Sequence, residues 1–262
     1  MLEAHTRRGK IVLQLVVTLL TVPFLIPLVV MVQGSFAGQG WGNYVAVLSL
    51  PQLPSFFLNS AIISVLTITI ALLCTLLAAF GFAKLRIRGK EFFFWVLLAA
   101  LTLPEIVLVT PLFVTATSTN LYNTHWAVVL PLAALQIPFT VLITRTFMNG
   151  IPDALIEAAR IDGANTWRAF WHVVLPLTRP IAAAIIILTL ITAWNAYLLP
   201  LIFLQNPDSQ VVTQVPSFFQ GQYNDDQTKV LASAVITAIP LIVAYLCLQK
   251  LFERGLSAGA LK

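Results

Sequence analysis

Long apolar stretches alternate with short polar ones along this chain. Six of them, at 11–32, 57–82, 92–115, 125–147, 180–204 and 230–252, are rich in Leu, Val, Ile, Phe and Ala and nearly free of charge. A bilayer core of about 30 Å is crossed by about 20 helical residues rising 1.5 Å each. Backbone polar groups in hydrocarbon must be satisfied within their own segment, so each stretch is predicted to be a helix. The expected fold is all-α and integral to a membrane, with six transmembrane helices. Pro23 and Pro27 sit four apart in the first stretch and predict a bend there. Ser35-Phe36-Ala37 after it mimics a small-x-small cleavage site. The preceding apolar run is nevertheless longer than the roughly 7–15 residues of a signal peptide, so the helix is expected to be retained.

Between the fourth and fifth stretches lies a polar segment with its own helical pattern. Pro152 stands at the start of a first short helix, 152–161, whose Asp153 and Glu157 lie toward the positive end of its dipole. Gly163 follows where a left-handed residue would stop that helix. A second helix is expected over 166–174, with Trp167, Phe170, Trp171 and Val174 at helical spacing and Pro176 ending it. The aromatic residues are expected to anchor this elbow against the ends of neighbouring spans.

Charge orients these elements. The chain is 59% hydrophobic and only 10% charged, with a net charge of +5 and a mean hydropathy of +0.91, which no ordinary soluble domain matches. Every Lys and Arg except Lys229 precedes the first span, lies between the second and third, flanks the elbow, or closes the chain. The positive-inside rule then makes both termini and the elbow cytoplasmic. The positive charge reports topology, and no nucleic-acid partner is expected. Cys74 and Cys247 fall inside spans, and His5, His125 and His172 are scattered, so no disulfide framework or metal site is predicted. No Gly-rich phosphate loop and no nucleophile-base pair occurs, so the chain is not expected to be an enzyme by itself. An ion-coupled secondary transporter would carry inverted repeats and paired intramembrane charges. Neither is visible.

The elbow reads Glu157-Ala158-Ala159, three residues, Gly163, nine residues, Val173, one residue, Leu175-Pro176. This pattern resembles the coupling loop of ABC importer permeases, which usually carry Ile where Val173 stands. Three further segments resemble the carbohydrate, maltose-type branch of that family. These are Asn43-Tyr44 with Asn59-Ser60, the run from Trp194 to Pro200, and the tail from Arg254 to Lys262. The resemblance implies a type I ABC importer permease fold, a single permease domain over 1–262, a coupling loop at 150–177 and a cytoplasmic tail at 253–262, frayed by its composition. It implies a multi-pass protein of a prokaryotic cell membrane. The partners implied are a second permease subunit, two ATPase subunits and an external substrate-binding protein. ATP and Mg would be held by the ATPases, and no cofactor is expected in this chain. Glu157, Ala158, Ala159, Asp162, Gly163, Leu175 and Pro176 are the expected coupling residues, and the implied cargo is a sugar or oligosaccharide. A permease for an amino acid, peptide or oxyanion would keep the elbow but lack the Trp-Asn segment and the Arg-Gly-Leu tail.

Glu105, Trp194, Asn195 and Tyr197 are the candidates for the substrate path. Glu105 is the one ionisable residue expected well inside a span, about 20 Å from its basic end at 1.5 Å per residue. It reads equally as a cap for backbone freed beside Pro104 or as a residue close to the outer interface. Trp194 and Tyr197, three apart, are expected to share a face next to Asn195. Rings and an amide suit a sugar's C–H faces and hydroxyls. The same residues read equally as an interfacial aromatic belt. The family carries an acidic residue where Ala196 stands.

Overall fold

Apolar composition makes helices here, and proline interrupts only some of them. The computed structural model describes the backbone of residues 7–221 and 226–260 and the side chains of 9–221 and 226–249. These form two compact units, one drawn from 1–53 with 215–239 and the other from 54–214 with 240–262.

The first unit contains α1 (Arg7–Ser35), α2 (Trp41–Leu48) and the start of α12 (Gln227–Ala260). α1 runs through Pro23 and Pro27 as one helix, apolar on every side and almost wholly exposed. A bilayer suits such a helix; water does not. Asn43 staples the turn after α1. Its Nδ2 donates to the Ser35 carbonyl at 2.9 Å and to the Ala37 carbonyl at 2.8 Å, while its Oδ1 accepts from Thr228 Oγ1 at 3.2 Å. Asp226 precedes α12 and accepts from Thr228 Oγ1, the Lys229 N–H and Lys229 Nζ. The Lys229 ammonium, ahead of the Thr228 hydroxyl, holds the Asp226 carboxyl down at about 2.

The second unit holds α3 (Leu53–Lys84), α4 (Lys90–Ala99), a 3₁₀ turn (Ala100–Thr102), α5 (Glu105–Ser118) and α6 (Trp126–Asn149). The elbow follows, and then α10 (Arg179–Trp194) and α11 (Leu198–Phe203). α6 is the hub and packs against α4, α5, α10 and α11. One core gathers Ile63 of α3 with Val128 and Leu132 of α6, Leu199 and Phe203. The other gathers Leu76 and Phe80, further along α3, with Met148, Ile185 and the elbow's Ile156 and Phe170.

Among the described residues four helices, Gly9–Ser35, Leu53–Lys84, Trp126–Asn149 and Gln227–Gln249, are each long and apolar enough to span a membrane. Two bent helix pairs among the described residues add up to two more candidate spans by length and composition; the first interrupts the helix expected at 92–115, and the helix expected at 180–204 is broken at 195–197. In the first, Lys90–Thr102 and Glu105–Ser118 meet at 102°. Pro104 has no N–H to give and forces Leu103 into an extended conformation (φ −85°, ψ 115°), so the helix cannot continue. In the second, Thr166–Leu177 meets Arg179–Trp194 at 74°. α10 stops at Trp194; had the helix continued, the Ala196 carbonyl would have met Pro200, which has no N–H to give. That carbonyl accepts from Thr213 Oγ1 at 2.7 Å instead. The tail expected to fray is helical in its backbone to Ala260, while its side chains and residues 261–262 lie outside the described residues.

Candidate coupling site

The elbow begins where Pro152 (φ −59°, ψ 130°) turns the chain into α7 (Asp153–Ile161). Gly163 takes φ +84°, the left-handed conformation expected of it, and ends the turn after that helix. Asn165 then caps α8 (Thr166–Ala169), its Oδ1 accepting from the Arg168 N–H at 2.8 Å. The return does not stop at Pro176 as expected. A π-helical turn over Phe170–Val174 runs into α9 (Leu175–Leu177), so Pro176 sits inside the helix. The wider turn accommodates a residue that cannot donate. The chain bends instead at Thr178, whose N–H is shared between the Val174 and Leu175 carbonyls.

One face of this elbow is core. Ile156, Ala169, Phe170 and Val174 are buried among residues of α3, α6 and α10. Phe170 lies 5.0 Å from Phe80, centroid to centroid. Of the three aromatic residues expected to anchor the elbow, only Phe170 does so by burial. Trp167 and Trp171 remain 57% and 42% exposed and lie against the Phe170 ring. They fall on the outer side because Phe170 already fills the inward position of that turn.

The other face is open. Glu157, Ala158, Asp162 and Pro176 are exposed, Ala159 and Leu175 are half-buried, and Ile161 is 87% exposed. Among the described residues Glu157 has no ion-pair partner. A carboxylate, small alanines and an isolated isoleucine on one short helix can receive a basic, partly apolar surface. Charges fasten the elbow's base. Lys84 Nζ donates to the Ile151 carbonyl at 2.6 Å and to Asp153 Oδ1 at 2.7 Å. That hydrogen bond, with the Lys84 charge, lowers the Asp153 carboxyl below its usual range. Arg145 of α6 pairs with Glu91 of α4 and lies 4.0 Å over the Phe94 ring.

The path candidates are not brought together in the way the spacing suggested. Trp194 is 8% exposed and packs 6.3 Å from Phe57, whereas Tyr197 is 48% exposed. The two do not share a face, because α10 ends between them and Asn195 takes the capping position. Asn195 is exposed there. Glu105 is the first residue of α5, exposed at the positive end of its dipole just after the 102° break. Its expected depth in a straight span no longer applies. Among the described residues no hydrogen bond joins Glu105 to the 194–197 segment. A separate apolar cleft of about 230 Å³ lies between α5 and α6, lined by Leu112, Thr115, Trp126 and Pro131 among others, and contains none of the four.

The chemistry of Asn59 and Ser60 is structural. Asn59 Nδ2 donates to the Asp208 carbonyl at 2.7 Å and the Gln210 carbonyl at 2.9 Å, and Ser60 Oγ accepts from the Val212 N–H at 3.0 Å. Asn123 Oδ1 accepts from the Gln205 and Asn206 N–H groups. Sequence reading missed Asn165, Asn123 and Lys84. Asn165 carries a local capping signal; the other two act on partners far away in the chain.

Residues 71–258 match the family described as binding-protein-dependent transport system inner membrane component. The probable ABC transporter permease protein YurM of Bacillus subtilis is 35% identical over 208 residues, 79% of this chain and 69% of that protein. The diacetylchitobiose uptake system permease protein NgcG of Streptomyces coelicolor is 32% identical over 222 residues, 84% of this chain and 74% of that one. In solved structures the fold resembles a chain of a bacterial ABC transporter that imports the acidic polysaccharide alginate. That likeness has a TM-score of 0.77 at 22% identity and covers 95% of this chain and 99% of the other. With bent membrane helices around a docked elbow and a family match over most of its length, the chain belongs to the binding-protein-dependent transport system inner membrane components.

Proposed function

We propose that this chain is the permease subunit of an ATP-driven importer for a sugar or oligosaccharide and forms half of the translocation path. The observation that carries this reading is the elbow, one face buried against three membrane helices and the other presenting Glu157, Ala158 and Ile161. Relatives named for the uptake of diacetylchitobiose and for melibiose, raffinose and stachyose import support the carbohydrate class. Both termini and the elbow face the cytoplasm of a prokaryote, on the strength of the basic residues gathered there. Two ATPase subunits hold ATP and Mg and dock on the elbow, a second permease completes the path, and an external binding protein delivers the cargo.

Glu157 meets a basic residue of the ATPase, Ala158 and Ala159 allow close approach, and Gly163 sets the bend. Asp162, Leu175 and Pro176 complete that surface and its support. When the ATPases close on ATP they carry the elbow, and the spans rock between two access states. Asn195 and Tyr197, exposed where α10 breaks, and Glu105 at the head of α5 line the path, with Trp194 behind them as a packed support.

The complex reconstituted in lipid vesicles tests this. Oligosaccharides presented with the cognate binding protein are expected to stimulate ATP hydrolysis and to accumulate inside. Stimulation by amino acids or oxyanions alone points to another cargo and overturns the sugar assignment. Cysteine labelling in intact cells checks orientation: Gln220→Cys should react from outside and Thr166→Cys should not. Equal external reaction at both sites sinks the topology.

A further inference from the structure

A lysine at the end of a membrane helix ordinarily reaches out to the lipid headgroups. Lys84, the last residue of α3, does the opposite: its side chain is only 4% exposed and its ammonium turns inward onto the base of the elbow. Arg86 and Arg88, two and four residues on, are the exposed ones. A buried ammonium is costly unless its donors are used. Here it donates to the Ile151 carbonyl and to Asp153, the first residue of α7. The same helix is held at its other end, where Asn59 and Ser60 bond to the Asp208 and Gln210 carbonyls and the Val212 N–H. Between Asn59 and Lys84 α3 carries no proline, and it covers about 37 Å at 1.5 Å per residue.

We propose that Lys84 is a positioning residue for energy coupling. It pins the elbow to α3, so that displacement of α7 moves α3 as a rod and reaches the loop 206–212 at the opposite end. The proposal rests on the importer reading above. Packing through Phe80 and Phe170 joins the two bodies by side-chain contact. The Lys84 bonds hold the carbonyl two residues before α7 and the side chain of its first residue, so the start of the helix follows α3. The Ile151 carbonyl precedes the helix, and Asp153 is its first residue, so both bonds act at the pivot of α7.

The test uses the whole complex in proteoliposomes and measures solute imported per ATP hydrolysed. Lys84→Met keeps length and apolar bulk but loses both bonds. It is expected to assemble and to hydrolyse ATP while importing about tenfold less per ATP, the scale of one lost charge-assisted hydrogen bond. Lys84→Arg, which can donate to both oxygens, is expected to recover most of the ratio. Asp153→Asn, leaving the Ile151 bond, is expected to lose only about twofold to threefold. Lys84→Met importing at the wild-type ratio overturns the proposal. So does a pattern in which Met and Arg variants lose assembled complex equally and the remainder keeps the wild-type ratio, since that marks a purely structural lysine. If the wild-type complex imports no solute at the expense of ATP, the importer reading fails and the proposal falls with it; if it imports only a non-saccharide, the sugar assignment alone falls and the Lys84 variants are compared on that solute.

Discussion

Phe170→Ala is expected to destabilise the elbow by about 3–5 kcal/mol, the usual cost of emptying a large aromatic site in a packed core. Phe170 is 2% exposed and touches Phe80, Trp167 and Trp171, so truncation removes the ring on which the other elbow aromatics rest. The surroundings collapse poorly because Leu76, Met148 and Ile185 belong to spans held elsewhere along their length. The expected readout is a lower melting temperature in detergent together with faster proteolysis between 152 and 177. Trp171→Ala, at a half-open position, should cost much less. If both variants melt like the wild type, the elbow is not held by this core.

Glu157→Lys is expected to abolish coupling while leaving the permease inserted. The residue is exposed and without an ion-pair partner among the described residues, so its replacement removes little inside this chain. On the docking proposed above, it would place a second cation against the ATPase's basic contact. Reversing one member of a desolvated charged pair costs about 2–5 kcal/mol or more. Co-purification of ATPase subunits and substrate-stimulated hydrolysis should both be lost, and Glu157→Gln should lose less. Wild-type transport by Glu157→Lys would remove Glu157 from the docking surface. The two variants separate the faces of one short segment: Phe170 acts on stability first, Glu157 on assembly first.

These expectations rest on features of unequal legibility. The first helix of the elbow and its turn could be read in advance because their signals are local, whereas the second helix ran on past Pro176. Pro152 and Gly163 each specify a backbone conformation at their own position, and the Glu157-Ala158-Ala159 spacing lies within one helix. The burial of Phe170 and exposure of Trp167 could not be read the same way. Helical spacing puts all three aromatics near one stripe, and only the place of Phe80 shows which ring is enclosed. The stretch 92–115 reads as one continuous helix by composition, and only the structure shows that its two halves meet at 102° beside Pro104. Trp194 and Tyr197 looked like neighbours on one face only while the helix was assumed to continue past Asn195.

What the sequence by itself determined is the all-helical membrane character, the number and rough place of the apolar stretches, and the turn chemistry of the elbow. Each depends on the hydrophobicity or backbone preference of residues close together in the chain. Only the tertiary structure decided that α6 is the hub, that Glu105 opens a helix instead of lying within one, and that Asn59 and Ser60 hold the 206–212 loop. It also decided that Lys84 turns inward to the start of α7, 69 positions away. A lysine at the end of an apolar helix has the same sequence signature whether it meets a headgroup or a carbonyl. The choice depends on which backbone oxygens the packed helices bring within reach, and so on contacts between segments that no local pattern encodes.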